Sequence, residues 1–303
     1  MGQAAPVAIV GPTASGKSAL ALAAADAVGG TEIVAVDAMQ VYRGMDIGTA
    51  KPSVVDQAAH RHHGIDLVEP CATFAVPDYV RAYDRAMREI AERDSRALLV
   101  AGTGLYLRAV VDRLEPPGQW PEIRARLERE ETDLASMHAR LATLDPIAAH
   151  RIQPTNERRV VRALEVCLGS GRPFSSFGPG LDVYPPTDVV QIGLRWPRAA
   201  LAERVERRVH QMVAEGLVAE VRSLAAPGAL SRTARQALGY KEMIDHLEGR
   251  CSLDQAIETT IVRTRQYAVR QERWFRRDPR ITWVDVTADP LEALPVVVSA
   301  LAS

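Results

Sequence analysis

The stretch VAIVGPTASGKS, residues 7–18, decides the fold of this chain. Its first four residues are apolar, as in a strand that is buried on both faces. The next eight match the pattern G-x-x-x-x-G-K-[ST], and the apolar segment ALALAAADAV that follows has the composition of a helix. A strand, a glycine-rich loop and a helix in this order predict a phosphate-binding loop in an α/β protein.

The glycine-rich loop offers phosphate ligands of three kinds. Its glycines allow backbone N–H groups to point inward as an anion nest, next to the positive end of the following helix. Lys17 supplies a charge for the terminal phosphate, and Ser18 supplies a hydroxyl for Mg²⁺. The alternative is a glycine-rich turn that binds nothing, and the compound that carries the phosphate stays open at this point. The predicted phosphate-binding residues are Gly11, Pro12, Thr13, Ala14, Ser15, Gly16, Lys17 and Ser18.

Further apolar runs rich in Val and Ile alternate with helical patterns along the chain. The runs are EIVAV (32–36), ALLV (97–100), VVQIGL (189–194) and ITWVDV (281–286). Between them, DYVRAYDRAMREIAERD places four apolar residues on one helical stripe: Tyr79, Tyr83, Met87 and Ile90. This alternation predicts a doubly wound α/β fold with a parallel sheet.

The alternation stops between about residue 114 and residue 182. A long charged segment, residues 121–145, favours a single helix, and NERRVVRALEVCLGSG (156–171) favours a second one that ends at glycines. We therefore predict a core domain of residues 1–116 and 183–303, interrupted by a mostly helical lid at 117–182.

Composition limits the class of protein. The 303 residues carry a net charge of −1, so attraction to a polyanion would need a local basic surface. The three cysteines, Cys71, Cys167 and Cys251, lie far apart and give neither a disulfide framework nor a zinc motif. The first residues lack the basic segment of a secretory signal, and we expect a cytoplasmic protein.

An acidic residue, Asp37, follows the second predicted strand. In motor and switch NTPases an apolar strand usually ends in an Asp that holds Mg²⁺, whereas here ALLV runs into AGTGLYL without an acid. The carboxyl ends of neighbouring parallel strands line one crevice, so Asp37 should face the phosphate loop, where it could take a proton from a nucleophile. The alternative is an Asp that caps the next helix.

The segment from residue 261 to residue 280 is strongly basic, with seven arginines against two acids, a charge of 7 − 2 = +5. Five of its residues recur on one helical face, while Tyr267 and Trp274 fall on a neighbouring face and are expected to pack on the core. Such a stripe would neutralise nucleic-acid phosphates; the alternative is a solvated arginine-rich helix. The stripe consists of Arg263, Gln266, Arg270, Arg273 and Arg277.

Seven segments together resemble the bacterial tRNA dimethylallyltransferase family, in the same order and over nearly the whole chain. They are GPTASGKS, DAMQVYRGMDIGTAKPS, HHGID, GTGLYL, RRVVRALEV, LGYKEM and RQYAVRQERWF. The resemblance implies that the loop holds dimethylallyl diphosphate. Its five-carbon group would go to N6 of adenine 37 in tRNA, beside the anticodon, and pyrophosphate would leave. It also implies Mg²⁺ as cofactor and a monomer.

The resemblance implies roles for individual residues. Asp37 takes the N6 proton, Thr13 donates to the bridging oxygen, and Lys17, Arg208 and the backbone amides of residues 12–18 accept the charge of the leaving group. The adenine must leave its stack, and Gln40 offers a donor and an acceptor to its edge. The implied tRNA contacts are Asp37, Ala38, Met39, Gln40, Thr103, Arg124, Arg158, Arg159, Val160, Val161, Arg162, Gln236, Gly239, Tyr240, Lys241, Arg270, Gln271, Arg273, Trp274 and Arg276.

A few positions depart from the family pattern. Ala101 replaces a glycine before Thr103, Val269 replaces a lysine, and Ala38 replaces a frequent serine. The histidines at 60, 62 and 63 allow a zinc interpretation, but a loop near the sheet, like the family's His-His-x-Ile-Asp, accounts for them better.

Three other functions compete with tRNA prenylation. A small-molecule kinase could use the same loop, with Asp37 as base on a hydroxyl. A prenyltransferase acting on a free adenine nucleotide would not need the basic C-terminal helix or arginines in the lid. A non-catalytic RNA-binding protein could retain a vestigial loop, although intact Lys17, Ser18 and Asp37 argue against it.

Overall fold

The chain forms two units in the computed structural model, which describes residues 5–114, 116–130, 133–178, 180–181, 183–226 and 228–303. The core unit comprises Met1–Asp112 and Pro186–Ser303, and the inserted unit comprises Arg113–Pro185. The lid boundary predicted at residue 182 lies outside the described residues.

Within the described residues, one parallel sheet of six strands forms the centre of the core unit. The strands are β1 (Val7–Val10), β2 (Thr31–Val36), β3 (His62–His63), β4 (Arg96–Ala101), β5 (Val190–Arg195) and β6 (Ile281–Asp285). Their order is β3-β2-β4-β1-β5-β6, with parallel pairing throughout. Strand β1 is therefore central, and the loop that follows it opens beside the ends of β4 and β5. The predicted doubly wound α/β fold is confirmed.

Helices connect the strands and build the inserted unit. In chain order they are α1 (Lys17–Ala27), α2 (Val54–Ala59), α3 (Val76–Glu92), α4 (Gly104–Val111), α5 (Pro121–Arg129), α6 (Leu134–Leu144), α7 (Pro146–Arg151), α8 (Glu157–Ser170), α9 (Arg198–Ala214), α10 (Leu217–Leu224), α11 (Arg232–Arg235), α12 (Tyr240–Leu247), α13 (Leu253–Phe275) and α14 (Leu294–Ala302). Short 3₁₀ turns lie at Phe174–Ser176 and Pro290–Ala293. No helix of the described residues is long and apolar enough to cross a membrane.

The two faces of the sheet carry separate apolar cores. Because side chains alternate along a strand, Val7 and Ile9 of β1 pack under α1, α9 and α14, whereas Ala8 and Val10 pack under α3, α4, α10 and α12. The predicted stripe on α3 is confirmed: Tyr79, Tyr83 and Ile90 are buried, and Met87 is half-buried against the same core. Both faces of β1 and β2 are thus covered, as their continuous apolar sequences require.

The inserted unit corrects one sequence prediction. The charged segment 121–145 does not form one helix, because α5 ends at Arg129 and α6 begins at Leu134. Asp133 starts the second helix, since its side chain accepts the N–H of Ser136 at 2.9 Å. Helix α8 ends at Gly171, which adopts the left-handed conformation (φ 68°) that terminates helices.

The histidines near the sheet form a short strand instead of the predicted loop. His62 and His63 pair with Ile33 and Val34 of β2 at the edge of the sheet. The His63 side chain contacts the Glu32 carboxylate at 2.7 Å, and Arg93 and His63 hold the pKa of Glu32 at about 2. Within the described residues no cluster of three His, Cys, Asp or Glu side chains could hold a metal ion, so these histidines serve the sheet edge.

Candidate active site

The loop between β1 and α1 has the backbone of a phosphate nest. Gly16 adopts a φ of 89°, and a Cβ at this position would lie 2.5 Å from the ring of Pro290, so only glycine fits. Ala14 also adopts a positive φ of 61°. The N–H groups of Lys17 and Ser18 lie in the first turn of α1, where no intrahelical partner exists, and they bond to none of the described residues, so they can bind an anion.

The structure corrects the prediction that all backbone amides of residues 12–18 bind the leaving group. Proline has no N–H, which removes Pro12. The N–H of Thr13 donates to Gln271 Oε1 at 2.8 Å, and that of Ser15 donates to the Pro12 carbonyl at 3.3 Å. The anion-binding amides therefore lie towards the helix end of the loop.

Lys17 is desolvated at the mouth of this nest. Its Nζ donates to the Pro12 carbonyl at 2.7 Å. Burial and the charge of Arg208 lower the pKa of Lys17 to about 7, and the charge of Asp37 partly offsets them. Without an anion, the Lys17 ammonium is thus held in an unfavourable environment.

Asp37 follows β2 and lies within electrostatic range of both Lys17 and Arg208. One carboxylate oxygen, Oδ1, accepts the N–H groups of Met39 at 2.7 Å and Gln40 at 3.3 Å. This bond stabilises a turn, and the residues that follow Asp37 do not form the helix that the capping alternative required. The other oxygen lies at the end of β4, 3.3 Å from the position of a Cβ on Gly102.

Arg208 completes the charged cluster from α9. The side chain is desolvated, which lowers its pKa, while the Asp37 carboxylate raises it. Among the described residues the guanidinium makes no hydrogen bond or ion pair, so its donors are available to a ligand. The alternative of a solvated surface arginine does not describe this environment.

Two residues that no sequence motif marks hold the outer side of the loop. Arg204 Nε donates to the Ala14 carbonyl at 2.8 Å, and its guanidinium stacks on Trp196 at 4.3 Å from the ring centroid. Trp196 Nε1 donates to the Ser15 carbonyl at 3.0 Å. Neither residue was predicted from the sequence, because each acts through a contact about 180 to 190 residues away along the chain.

The inner side of the site is built by β4 and α13. Thr103 Oγ1 accepts the N–H of Ala38 at 3.1 Å, which ties the end of β4 to the turn at Asp37. Tyr267 of α13 lies nearby: burial and the Asp37 charge raise its pKa to about 12, although hydrogen bonding to Thr103 and Gln271 lowers it. The phenol therefore stays neutral over the physiological range.

The segment that follows Asp37 is fixed by polar contacts that are mostly half-buried. Gln40 Nε2 donates to the carbonyls of Thr49 and Ala50, both at 3.1 Å, so the donor predicted for the adenine edge is already used and only Oε1 remains as an acceptor. Glu220 of α10 accepts three backbone N–H groups, from Asp46, Ile47 and Gly48, and the hydroxyl of Tyr240.

Comparison with known proteins identifies the family of this site. Residues 40–278 match the sequence pattern of a family described as IPP transferase. A tRNA dimethylallyltransferase of Pseudarthrobacter chlorophenolicus is 46% identical over 288 residues, covering 94% of this chain and 95% of that protein. The chain belongs to the IPP transferase family. It is therefore an enzyme, a prenyltransferase.

Solved structures of the same class share the fold. The full-length tRNA isopentenylpyrophosphate transferase of Bacillus halodurans superposes with a TM-score of 0.70 at 38% identity, covering 99% of this chain and 97% of that one. A eukaryotic dimethylallyltransferase acting on tRNA gives a TM-score of 0.80 at 25% identity, covering 98% of this chain and 77% of that one. The P-loop-type fold and the resemblance noted in the sequence are both confirmed.

The residues that the family pattern assigns to tRNA differ in exposure. The exposed ones are Arg158, Arg159, Gln236, Arg270, Arg273 and Arg276, whereas Ala38, Met39, Lys241 and Trp274 are half-buried. Arg124 and Arg162 are also half-buried and face the buried Glu165 carboxylate, at 3.7 Å and 2.7 Å.

Other implied contacts need correction because their side chains are inaccessible. Val160 and Val161 lie in the apolar core of the inserted unit. Tyr240 is buried under α10 with its hydroxyl on Glu220, and Gly239 beside it is also buried. Gln271 is 7% exposed. In this structure their side chains are packed inside the protein.

The basic stripe on α13 is shorter than predicted. Gln266, Arg270 and Arg273 are exposed along the helix, but Arg277 lies beyond its end at Phe275. Arg263 forms an ion pair with the buried Glu242, so its charge is already balanced. Trp274 packs on the core as predicted.

Proposed function

We propose that this enzyme transfers the dimethylallyl group of dimethylallyl diphosphate to N6 of adenine 37 in tRNA and releases pyrophosphate. One observation carries the proposal: the Asp37 carboxylate lies with two desolvated cations, Lys17 and Arg208, at the mouth of the phosphate nest. The match to tRNA-modifying relatives supports tRNA as the acceptor. We expect the enzyme to act in the cytoplasm, as a monomer.

The nest and the two cations stabilise the leaving group. The bond between the allylic carbon and the diphosphate oxygen breaks, and its electron pair stays on the oxygen. Lys17, Arg208 and the first N–H groups of α1 accept the negative charge that develops there. The Thr13 hydroxyl has no partner among the described residues, and we assign to it the hydrogen bond to the bridging oxygen.

Asp37 acts on the nucleophile. The N6 lone pair forms the new bond to carbon, and one N6 proton passes to the carboxylate. Because Oδ1 of Asp37 is occupied by two backbone N–H groups, Oδ2 is the oxygen that accepts the proton. Gln40 Oε1, which is left as an acceptor, can bind the second N6 hydrogen.

The residues present fit a magnesium ion that is held mainly by the substrate. Ser18 is exposed at the N-terminus of α1, and its hydroxyl has no partner among the described residues. Magnesium usually keeps several waters and binds phosphates together with few protein ligands, which agrees with one hydroxyl beside the nest. When bound, it would add positive charge to the departing diphosphate.

The test is a transfer assay with labelled dimethylallyl diphosphate and Mg²⁺. Acceptors offered in parallel are an unmodified tRNA that reads codons beginning with U, the same tRNA with guanine at position 37, and free AMP. We expect label only in the first. Label in AMP would indicate a nucleotide prenyltransferase, and ATP consumption without label would indicate a kinase; either result would refute the proposal.

A further inference from the structure

One side-chain amide, that of Gln271, joins the phosphate loop to the end of β4 inside the core unit. Its Oε1 accepts the N–H of Thr13 at 2.8 Å, and its Nε2 donates to the carbonyl of Gly102 at 2.7 Å. The side chain is 7% exposed. The partners are 258 and 169 residues away in sequence, so the bond pair exists only in the folded chain.

Each end of this amide leads to a group that the reaction uses. Thr13 carries the hydroxyl to which we assign the contact with the bridging oxygen. Gly102 precedes Thr103, whose hydroxyl holds the N–H of Ala38, directly after Asp37. Gln271 therefore fixes the distance between the leaving-group side and the proton-accepting side of the site. A displacement of a reacting group by about 1 Å can lower the rate about 100-fold, so the hydrogen bonds that hold the two sides in place should support catalysis.

We propose that Gln271 is a positioning residue for prenyl transfer, and not a contact to RNA. The inference rests on the proposed function. It also depends on a side chain that ends in both an acceptor and a donor, because Thr13 N–H requires an acceptor and the Gly102 carbonyl requires a donor. The neighbouring Arg270 and Arg273 point to solvent on the same helix, so α13 presents arginines outward while Gln271 holds the loop inside.

The first test compares Gln271→Met with Thr260→Val. Thr260 lies on the same helix and is buried, and its hydroxyl bonds only within α13, so its valine variant controls for lost stability. In Gln271→Met the N–H of Thr13 and the carbonyl of Gly102 lose their partner, and Tyr267 loses its hydrogen bond to the amide. We expect the affinity for Mg²⁺-pyrophosphate, measured by calorimetry, to fall about tenfold and kcat to fall at least about tenfold. Affinity for tRNA should stay within about twofold, and Thr260→Val should change none of these.

The opposite pattern would overturn the inference: weaker tRNA binding with pyrophosphate affinity and kcat unchanged would make Gln271 an RNA contact. Absence of transfer in the parent enzyme would refute the proposed function alone, because the pyrophosphate titrations still decide the role of Gln271.

The second test uses Gln271→Glu and does not depend on the methionine variant folding. A protonated glutamic acid reproduces both hydrogen bonds, whereas an ionised one places a negative oxygen against the Gly102 carbonyl. The charged or titratable groups around this position are Asp37, Tyr267 and, beyond Asp37, Lys17 and Arg208. Burial and the Asp37 charge should raise the pKa of the new carboxyl.

We expect the ratio of kcat for Gln271→Glu to kcat for the parent to rise several-fold as pH falls from about 8 to about 5.5. Taking the ratio cancels the pH dependence that both proteins share, including the titration of Lys17. A ratio that does not change with pH would contradict the proposal that the hydrogen bond from residue 271 to the Gly102 carbonyl positions the site.

Discussion

Lys17 and Arg208 repel each other beside one shared carboxylate, Asp37. The charge of Arg208 lowers the pKa of Lys17, whereas the charge of Asp37 raises the pKa of both cations. Burial is the largest influence on each. The site therefore carries an excess of positive charge that a diphosphate would neutralise. In the ligand-free enzyme this excess lowers the stability of the fold.

Lys17→Met should stabilise the ligand-free protein while it removes pyrophosphate binding. The pKa of Lys17 is about 7 in the folded chain, against 10.5 for an ordinary exposed lysine. Between these two pKa values Lys17 is protonated in the unfolded chain but mostly neutral in the folded one. The stability of the parent therefore rises with pH across this range, and Lys17 destabilises the folded state most near and below pH 7. We expect the variant to be more stable by roughly 1–4 kcal/mol at neutral pH, a rise of several degrees in Tm.

At about pH 9 the difference in stability between Lys17→Met and the parent should be smaller, because the desolvated Lys17 then destabilises the folded parent less. Adding Mg²⁺-pyrophosphate should raise the Tm of the parent but not that of Lys17→Met. A variant that is no more stable than the parent at neutral pH would show that Lys17 is not desolvated in solution.

Asp37→Asn should suppress transfer with little change in tRNA binding. The asparagine oxygen can still accept the N–H groups of Met39 and Gln40, so the turn should persist. Only the proton acceptor is lost, which typically lowers the rate by about 10²–10⁴. Single-turnover transfer and filter binding would check both parts, with Asp26→Asn as an exposed control. Full turnover in Asp37→Asn would show that another group takes the N6 proton.

The sheet was predictable because each central strand is a continuous apolar run. The phosphate loop was predictable because its glycine spacing between a strand and a helix is typical of phosphate-binding loops. The short strand at His62 was not, since two residues show no periodicity. The break at Asp133 had a local signal, a capping residue before an apolar segment, but the charged helical composition on both sides obscured it.

Of the charged residues at the candidate site, Lys17 was predicted from the loop motif and Asp37 from its position after the second strand, whereas Arg208 came from the resemblance to the family. Lys17, Asp37 and Arg208 lie together in the structure. The groups that hold them could not be predicted from spacing. Arg204 and Gln271 act through hydrogen bonds to residues that are 190 and 258 positions away in the sequence. The side-chain N–H groups of Gln40 are occupied only because the folded chain brings the carbonyls of residues 49–50 next to them.

Arg204→Ala should weaken diphosphate binding without removing a charge from the reacting groups. The variant loses the bond to the Ala14 carbonyl and the stacking on Trp196, so the strained backbone at Ala14 loses its support. We expect KM for dimethylallyl diphosphate to rise about three- to tenfold, in line with one charge-assisted hydrogen bond. Arg207→Ala, an exposed neighbour on α9, is the control. An equal effect in both variants would indicate a general loss of positive charge instead.

Glu220→Gln should destabilise the fold through the segment after Asp37. The carboxylate receives four donors, and an amide can accept at only one of its two heavy atoms. Losing part of these half-buried bonds should cost about 1–3 kcal/mol, and Tyr240→Phe should cost about 1 kcal/mol. Denaturant unfolding measures both, with the exposed Glu203→Gln as control. If the loss of stability in the double variant equals the sum of the losses in the two single variants, Glu220 and Tyr240 do not interact as the structure indicates.

Arg270→Ala and Arg273→Ala should weaken tRNA binding mainly at low salt. Both side chains are exposed on α13, where neither forms an ion pair among the described residues. If each neutralises one phosphate, removing it should reduce the slope of log affinity against log salt by about 1. The rate of transfer at saturating tRNA should stay within about twofold, since neither side chain reaches the diphosphate nest. Arg195→Ala removes an arginine that is paired with Asp285 and serves as the control. An unchanged slope for Arg270→Ala would show that this arginine does not neutralise an RNA phosphate.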